Sequence, residues 1–219
     1  SVERNFKDEQ KKHHYIRKER QSYQAKRSFY VGNSMKAEDV KATFFVTGYG
    51  NDNLILREYN EGHQVALHSY THDYAKIYRN IDAYFSDLKK IQDRVKRITG
   101  EEIKLIRFPG GSSNTISRRY DGGIHIMSAL SKETQKRGFH YYDWNVASGD
   151  AGETTLTDVV YRNVINGIKS HSVSVVLQHD TKLFSINAVE NIIKYGLENG
   201  YTFKTLTEND FEAHHGVNN

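Results

Sequence analysis

From residue 42 onward, short apolar runs rich in β-branched and aromatic residues alternate with longer segments of helical period, and nothing else in the chain narrows its fold as much. The strand candidates are ATFFVT (42–47), QVALHS (64–69), IKLIRF (103–108), FHYYDWNV (139–146), VSVVLQH (173–179) and YTFKTL (201–206). The clearest helix is expected over 81–99, where Tyr84, Leu88, Ile91, Val95 and Ile98 recur at helical spacing and Gly100 supplies the stop. Further helices fit 52–60, 126–137, 156–169 and 186–198. Sequential strand, helix, strand units with continuous apolar strands predict a parallel sheet, either closed into a barrel or doubly wound. Periodicity does not separate the two. In both, side chains at the C-terminal ends of the strands line the site.

A length of 219 residues suits one α/β core. Residues 1–27 hold nine Lys or Arg against four Asp or Glu, an excess of five in a chain whose total is +4, so the remainder is near neutral. We therefore divide the chain into a basic arm or linker (1–36), a main domain (37–212) and a C-terminal tail (213–219). The arm could attract nucleic acid, anionic lipid or an anionic cell-wall polymer, although a solvated linker or helix is the plainer reading. Nucleic-acid binding through residues 1–27 ranks last among these. There is no cysteine, which excludes disulfides and thiolate metal sites. No run of about 18 apolar residues predicts a transmembrane segment, and Ser1 begins no recognisable signal peptide.

Polar residues gather at the predicted strand ends. His68 and His72 stand four apart in GHQVALHSYTH (62–72), a spacing that puts two imidazoles on one face of a helical turn, where neutral nitrogens can bind a divalent metal. Alone, such a pair is weak evidence, and His63 reads as structural. In RFPGG (107–111), Arg107 can orient a carboxylate while the unhindered N–H near Gly110 donates to a developing oxyanion. His179 ends a buried strand and can act as a general acid, with Asp143 or Asp180 as the carboxylate that tunes it.

The order of these segments resembles that of the polysaccharide deacetylases of carbohydrate esterase family 4, over roughly residues 38–210. VKATFFVTG (40–48) is similar to the strand after the family's first helix, and HSYTH (68–72) matches its metal motif, His-Ser/Thr-x-x-His. RFPGG matches its Arg-x-Pro motif with Gly110 in place of the usual tyrosine, Asp143-Trp144 matches Asp-Trp, and Leu177-Gln178-His179 matches Leu-x-His. The resemblance implies a distorted (β/α) barrel, a divalent metal (zinc, with cobalt or nickel as alternatives) and removal of acetyl groups from N-acetylglucosamine-containing polysaccharide, peptidoglycan or chitin-like. It also implies an extracellular or cell-surface location. By the same resemblance His68 and His72 are metal ligands, His179 is the acid and Asp143 tunes it. Arg107 normally tethers the catalytic aspartate, Gly110 N–H stabilises the oxyanion, and Leu177 and Trp144 line the substrate pocket. The aromatic content, 12% with fifteen tyrosines, suits sugar stacking.

One motif does not occur. The family's Thr-Phe-Asp-Asp-Gly, source of the base and of a third metal ligand, should precede VKATFFVTG, yet no acidic residue lies between Glu19 and Glu38. Loss of the base alone removes on the order of 10² to 10⁴ in rate. Either a strand, loop and part of a helix carried by the intact protein are missing here, or SFYV (28–31) replaces the first strand, or the chain binds glycan without hydrolysing it.

Overall fold

The structure is a computed structural model that describes Met35, residues 38–210 and residues 212–217. The basic arm and the SFYV segment lie outside the described residues. Four parallel strands form the main sheet in chain order: β1 (Thr43–Val46), β2 (Gln64–Leu67), β3 (Leu105–Ile106) and β4 (His140–Tyr141). In register, Phe45 pairs with Ala66, Leu67 with Ile106 and Ile106 with Tyr141. A second parallel pair, β5 (Val146–Ala147) and β6 (Val176–Leu177), stands apart. The helices are α1 (Asp52–Asn60), α2 (Tyr74–Ile77), α3 (Ile81–Thr99), α4 (Ile126–Lys136), α5 (Thr157–Lys169) and α6 (Leu183–Glu198).

Local chemistry explains these elements. Parallel neighbours require a crossover, and β2 is covered on both faces, which is why Val65, Ala66 and Leu67 are all buried. Helix α3 begins where the Asn80 side chain accepts from Ala83 N–H, and ends where Gly100 takes a left-handed conformation and returns its N–H to Lys96. Its stripe of Tyr84, Leu88, Ile91 and Val95 packs into the main core with β2, β3 and α4, and Ile98 packs against its edge. A separate cluster joins Val160, Val164, Ile165 and Ile168 of α5 to Ala188 and Ile192 of α6. No helix among the described residues is long and apolar enough to cross a membrane.

Three expectations need correction. The single strand expected over 139–146 is broken into β4 and β5. Between them, Asn145 replaces ladder bonds with its side chain, accepting from Val175 N–H and donating to the Val173 carbonyl. Segment 201–206 forms no ladder, although Leu206 N–H bonds the Thr43 hydroxyl at 2.8 Å, and Tyr201, Phe203 and Leu206 face three different clusters. Residues 213–215 are no free tail: Asp143 N–H donates to the Ala213 carbonyl and His215 N–H to the Asp143 carboxylate. The parallel α/β arrangement with covering helices is as expected. Among the described residues the ladder does not close into a barrel, since the β5–β6 pair is not hydrogen bonded to the main sheet.

Candidate active site

The His68–His72 turn leaves the end of β2. Ser69 and His72 both have positive φ, 102° and 50°, a conformation that costs a non-glycine residue about 1–3 kcal/mol. Asp87, reaching up from α3, holds the turn in this shape. Its buried carboxylate accepts from Ser69 Oγ (2.6 Å), Tyr70 N (2.7 Å), Thr71 N (3.0 Å) and Thr71 Oγ1 (2.7 Å), and Ser69 Oγ in turn accepts from His72 N–H. The two imidazoles are thereby brought to 5.1 Å between ring centres. Since a carbonyl can only accept, His68 Nδ1 carries the proton it gives to the Arg107 carbonyl at 2.8 Å, which leaves Nε2 as a bare lone pair. Burial, and then the neighbouring His72, push the His68 pKa down to about 3, so the ring is neutral at any working pH. Burial likewise lowers His72. Two neutral imidazoles of this kind suit a divalent ion. No third His, Cys, Asp or Glu joins them among the described residues.

The loop after β3 faces this turn. Arg107 is buried, with Nε donating to the Tyr142 carbonyl and Nη2 to the Asp143 carbonyl, both at 2.9 Å, and its guanidinium lies 4.2 Å from the centre of the Phe45 ring. Burial lowers its pKa to about 10, against the pull of Asp143. Its side-chain bonds thus run to backbone carbonyls, where a carboxylate partner was expected. Gly110 has φ 80°, and a Cβ there would stand 2.7 Å from the Tyr74 hydroxyl and 3.0 Å from Asn114 Cβ. Only glycine fits. A Cβ on Gly111 would stand 2.9 Å from the Trp144 ring.

His179 follows β6. Its backbone N–H and its ring Nδ1–H both donate to Asp150, each at 2.7 Å, and Ser185 Oγ adds a bond of 2.6 Å to the same carboxylate. Burial would raise the Asp150 pKa, but these donors outweigh it and bring the carboxyl down to about 2. The carboxylate bonded to the His179 ring is therefore Asp150, where Asp143 or Asp180 was expected. Asp143 instead accepts from Ser112 N (2.8 Å), Ser112 Oγ (2.5 Å) and His215 N (2.9 Å), which makes it the tie between the Gly110 loop and the β4 exit. The His179 ring lies close enough to act electrostatically on both His68 and His72. Leu177 and Trp144, at the end of β6 and the exit of β4, are both partly buried. His63 lies elsewhere: its Nδ1 accepts from Ala42 N–H and its ring packs edge-on to Phe44.

Sequence reasoning missed two residues, and both left a trace. Asp87 is a charge on the apolar stripe of α3, three after Tyr84 and four before Ile91. Asp150 follows a positive-φ glycine, Gly149, just beyond a strand end.

With this geometry in hand, the chain can be set beside known proteins. A sequence profile for polysaccharide deacetylases matches residues 22–122. The catalytic domain of a peptidoglycan N-acetylglucosamine deacetylase from Eubacterium rectale ATCC 33656 is 48% identical, with a TM-score of 0.83 over 86% of each chain. A polysaccharide deacetylase from Bacillus cereus is 30% identical, with a TM-score of 0.71 over 85% of this chain and 89% of that one. A curated peptidoglycan-N-acetylglucosamine deacetylase of Bacillus cereus is 32% identical over 193 residues, 85% of this chain. The chain spans 66% of that relative's length, and 62% of the length of two other curated relatives.

Proposed function

Since the chain belongs to the polysaccharide deacetylases of carbohydrate esterase family 4, we propose that it removes N-acetyl groups from N-acetylglucosamine-containing glycan of the peptidoglycan type, at the cell wall. One observation carries this reading: two neutral imidazoles and a carboxylate-backed third imidazole converge on one cleft. His68 and His72 would hold a divalent metal, zinc or a similar ion. Bound there, the ion supplies a Lewis acid that polarises an amide carbonyl.

The remaining roles fall to the chain itself. Gly110, exposed on a loop that its positive φ strains for any other residue, offers its N–H to the oxyanion. His179 gives a proton to the departing amine nitrogen from the ring edge opposite Asp150, which fixes the tautomer and steadies the charged form. Leu177 and Trp144 flank the acetyl group. The water-activating base is not among these residues, and the sequence has no acid between Glu19 and Glu38. Without such a base turnover would be slow, on the order of 10² to 10⁴ below that of a site with one.

Acetate release from a chitin oligomer, followed with added zinc or cobalt, tests this. Slow release is expected, abolished in His68→Ala together with zinc binding by calorimetry and raised by formate acting as an external base. No release above a metal-only blank, with or without formate, would sink the catalytic reading and favour the glycan-binding one. Zinc binding unaffected by His68→Ala would remove the histidines as ligands.

A further inference from the structure

The segment after the last expected strand is fastened to both walls of the cleft, and the fastening runs through one side chain. His215 Nε2 lies 2.7 Å from the Trp144 carbonyl, which can only accept, so Nε2 carries the proton. His215 Nδ1 is then the acceptor, and the Ser113 hydroxyl, 3.0 Å away, donates to it. A single neutral tautomer satisfies both contacts. The His215 backbone N–H reaches the Asp143 carboxylate at 2.9 Å, and its ring meets Trp144 edge-on at 4.6 Å. Ser113 belongs to the loop that carries Gly110, whereas Asp143 and Trp144 belong to the exit of β4. His215 therefore spans the two pieces of backbone that must keep a fixed spacing if an oxyanion donor and a pocket wall are to serve one acetyl group.

The neighbouring residues anchor this segment. Glu212 accepts from His140 Nδ1–H at 2.8 Å; His214 Nε2–H donates to the Tyr141 carbonyl at 2.9 Å, with the Glu212 carboxylate 3.0 Å away, and the His214 ring stacks on Tyr141 at 3.8 Å. Asp143 N–H donates to the Ala213 carbonyl at 2.8 Å, and Ala213 is buried. Anchored by the three residues before it, the His215 ring has little freedom to leave its two partners.

We propose that His215 is a positioning residue of the cleft, holding the Gly110–Ser113 loop at a set distance from Trp144. Its effect on turnover rests on the deacetylase reading; its effect on Trp144 does not. Trp144 is the chain's one tryptophan, so fluorescence reads this contact without interference. The test compares the parent with His215→Ala, His215→Gln and Ser113→Ala, using tryptophan emission, melting temperature and acetate release from a chitin oligomer with zinc.

His215→Ala should shift emission to the red and lower kcat by about 10- to 100-fold, with KM changed much less, because a misplaced oxyanion donor is felt in the transition state. His215→Gln, whose amide can still donate to the Trp144 carbonyl, should restore the emission and most of kcat. Ser113→Ala should fall between parent and His215→Ala. A lowered melting temperature with unchanged emission and kcat in His215→Ala would overturn the proposal, leaving a merely structural fastening. So would a Gln variant no better than Ala. If the parent releases no acetate yet emission shifts in Ala and recovers in Gln, the positioning role stands and the deacetylase reading falls.

Discussion

Two buried carboxylates hold His68, His72 and His179, Asp87 on the helix that packs against the four-stranded sheet and Asp150 in the loop after β5, and they grip different parts of them. In the four-stranded half, Asp87 takes four hydrogen bonds from the turn between His68 and His72 and is bonded to neither ring. In the two-stranded half, Asp150 takes the ring N–H of His179 itself. The difference matches what each histidine offers in the proposed roles. A ring that is to lend its lone pair to a metal must keep a bare nitrogen, and in His68 the backbone is fixed and the other nitrogen is spent on a carbonyl. A ring that hands over a proton gains from an anion on its far side, so the ring is what is fixed.

The sharpest way to break this comparison is Asp150→Asn. The amide can still accept from His179 but no longer balances a charged ring. Acetate release should fall by on the order of 10² to 10⁴, while calorimetric zinc affinity stays within about twofold. A matching loss of zinc affinity would mean that the two halves are not separate devices. The converse substitution, Asp87→Asn, loses the acceptor for part of the turn and should weaken zinc binding by about 10- to 100-fold. Acetate release at saturating zinc should change far less, and a fall in that rate as deep as in Asp150→Asn would merge the two roles.

The smallest effect concerns a third buried carboxylate, which has neither kind of grip. Glu58 on α1 is buried and its Oε2 has no hydrogen-bond partner among the described residues. Burial first, and then the charge of Asp180, push its pKa up to about 8 against Arg57. A raised folded-state pKa means stability that is full below the ordinary carboxylate range and is lost as pH rises through about 8. Asp150 has the opposite sign: its contribution is present above the ordinary range and is lost only as pH falls through about 2. Denaturant melts should therefore show stability declining from pH 5 to pH 8, and Glu58→Gln should flatten that decline by at most a few kcal/mol. An unchanged slope in the variant would assign the decline to other groups.

Much of this was written in local pattern. The stripe and cap of α3, the parallel order of strands and the His68–His72 pair follow from spacing within a dozen residues or so. What the pattern did not carry was partnership across distance. Asp150 is 29 residues from His179 and Asp87 is 16 from Thr71, and no periodicity links an acid to the donors that folding will bring it. Asp143 was misassigned for the same reason: its position after β4 was read correctly, but its partners, Ser112 and His215, lie 31 and 72 residues away. The break between β4 and β5 depended on Asn145 mimicking a strand edge with its amide, which an alternating apolar run conceals.

The sheets themselves set the durability of the cleft. His68 and His72 rest on the large cluster beneath β2 and α3, whereas β6, which leads to His179, rests on the smaller cluster shared by α5 and α6. Local opening begins where fewest apolar contacts must be given up. On warming, the His179 side should drift first, and an ångström of drift is enough to disable a catalyst. Heat should silence this protein while most of its helices are still intact, so its working lifetime is governed by a joint and not by its core.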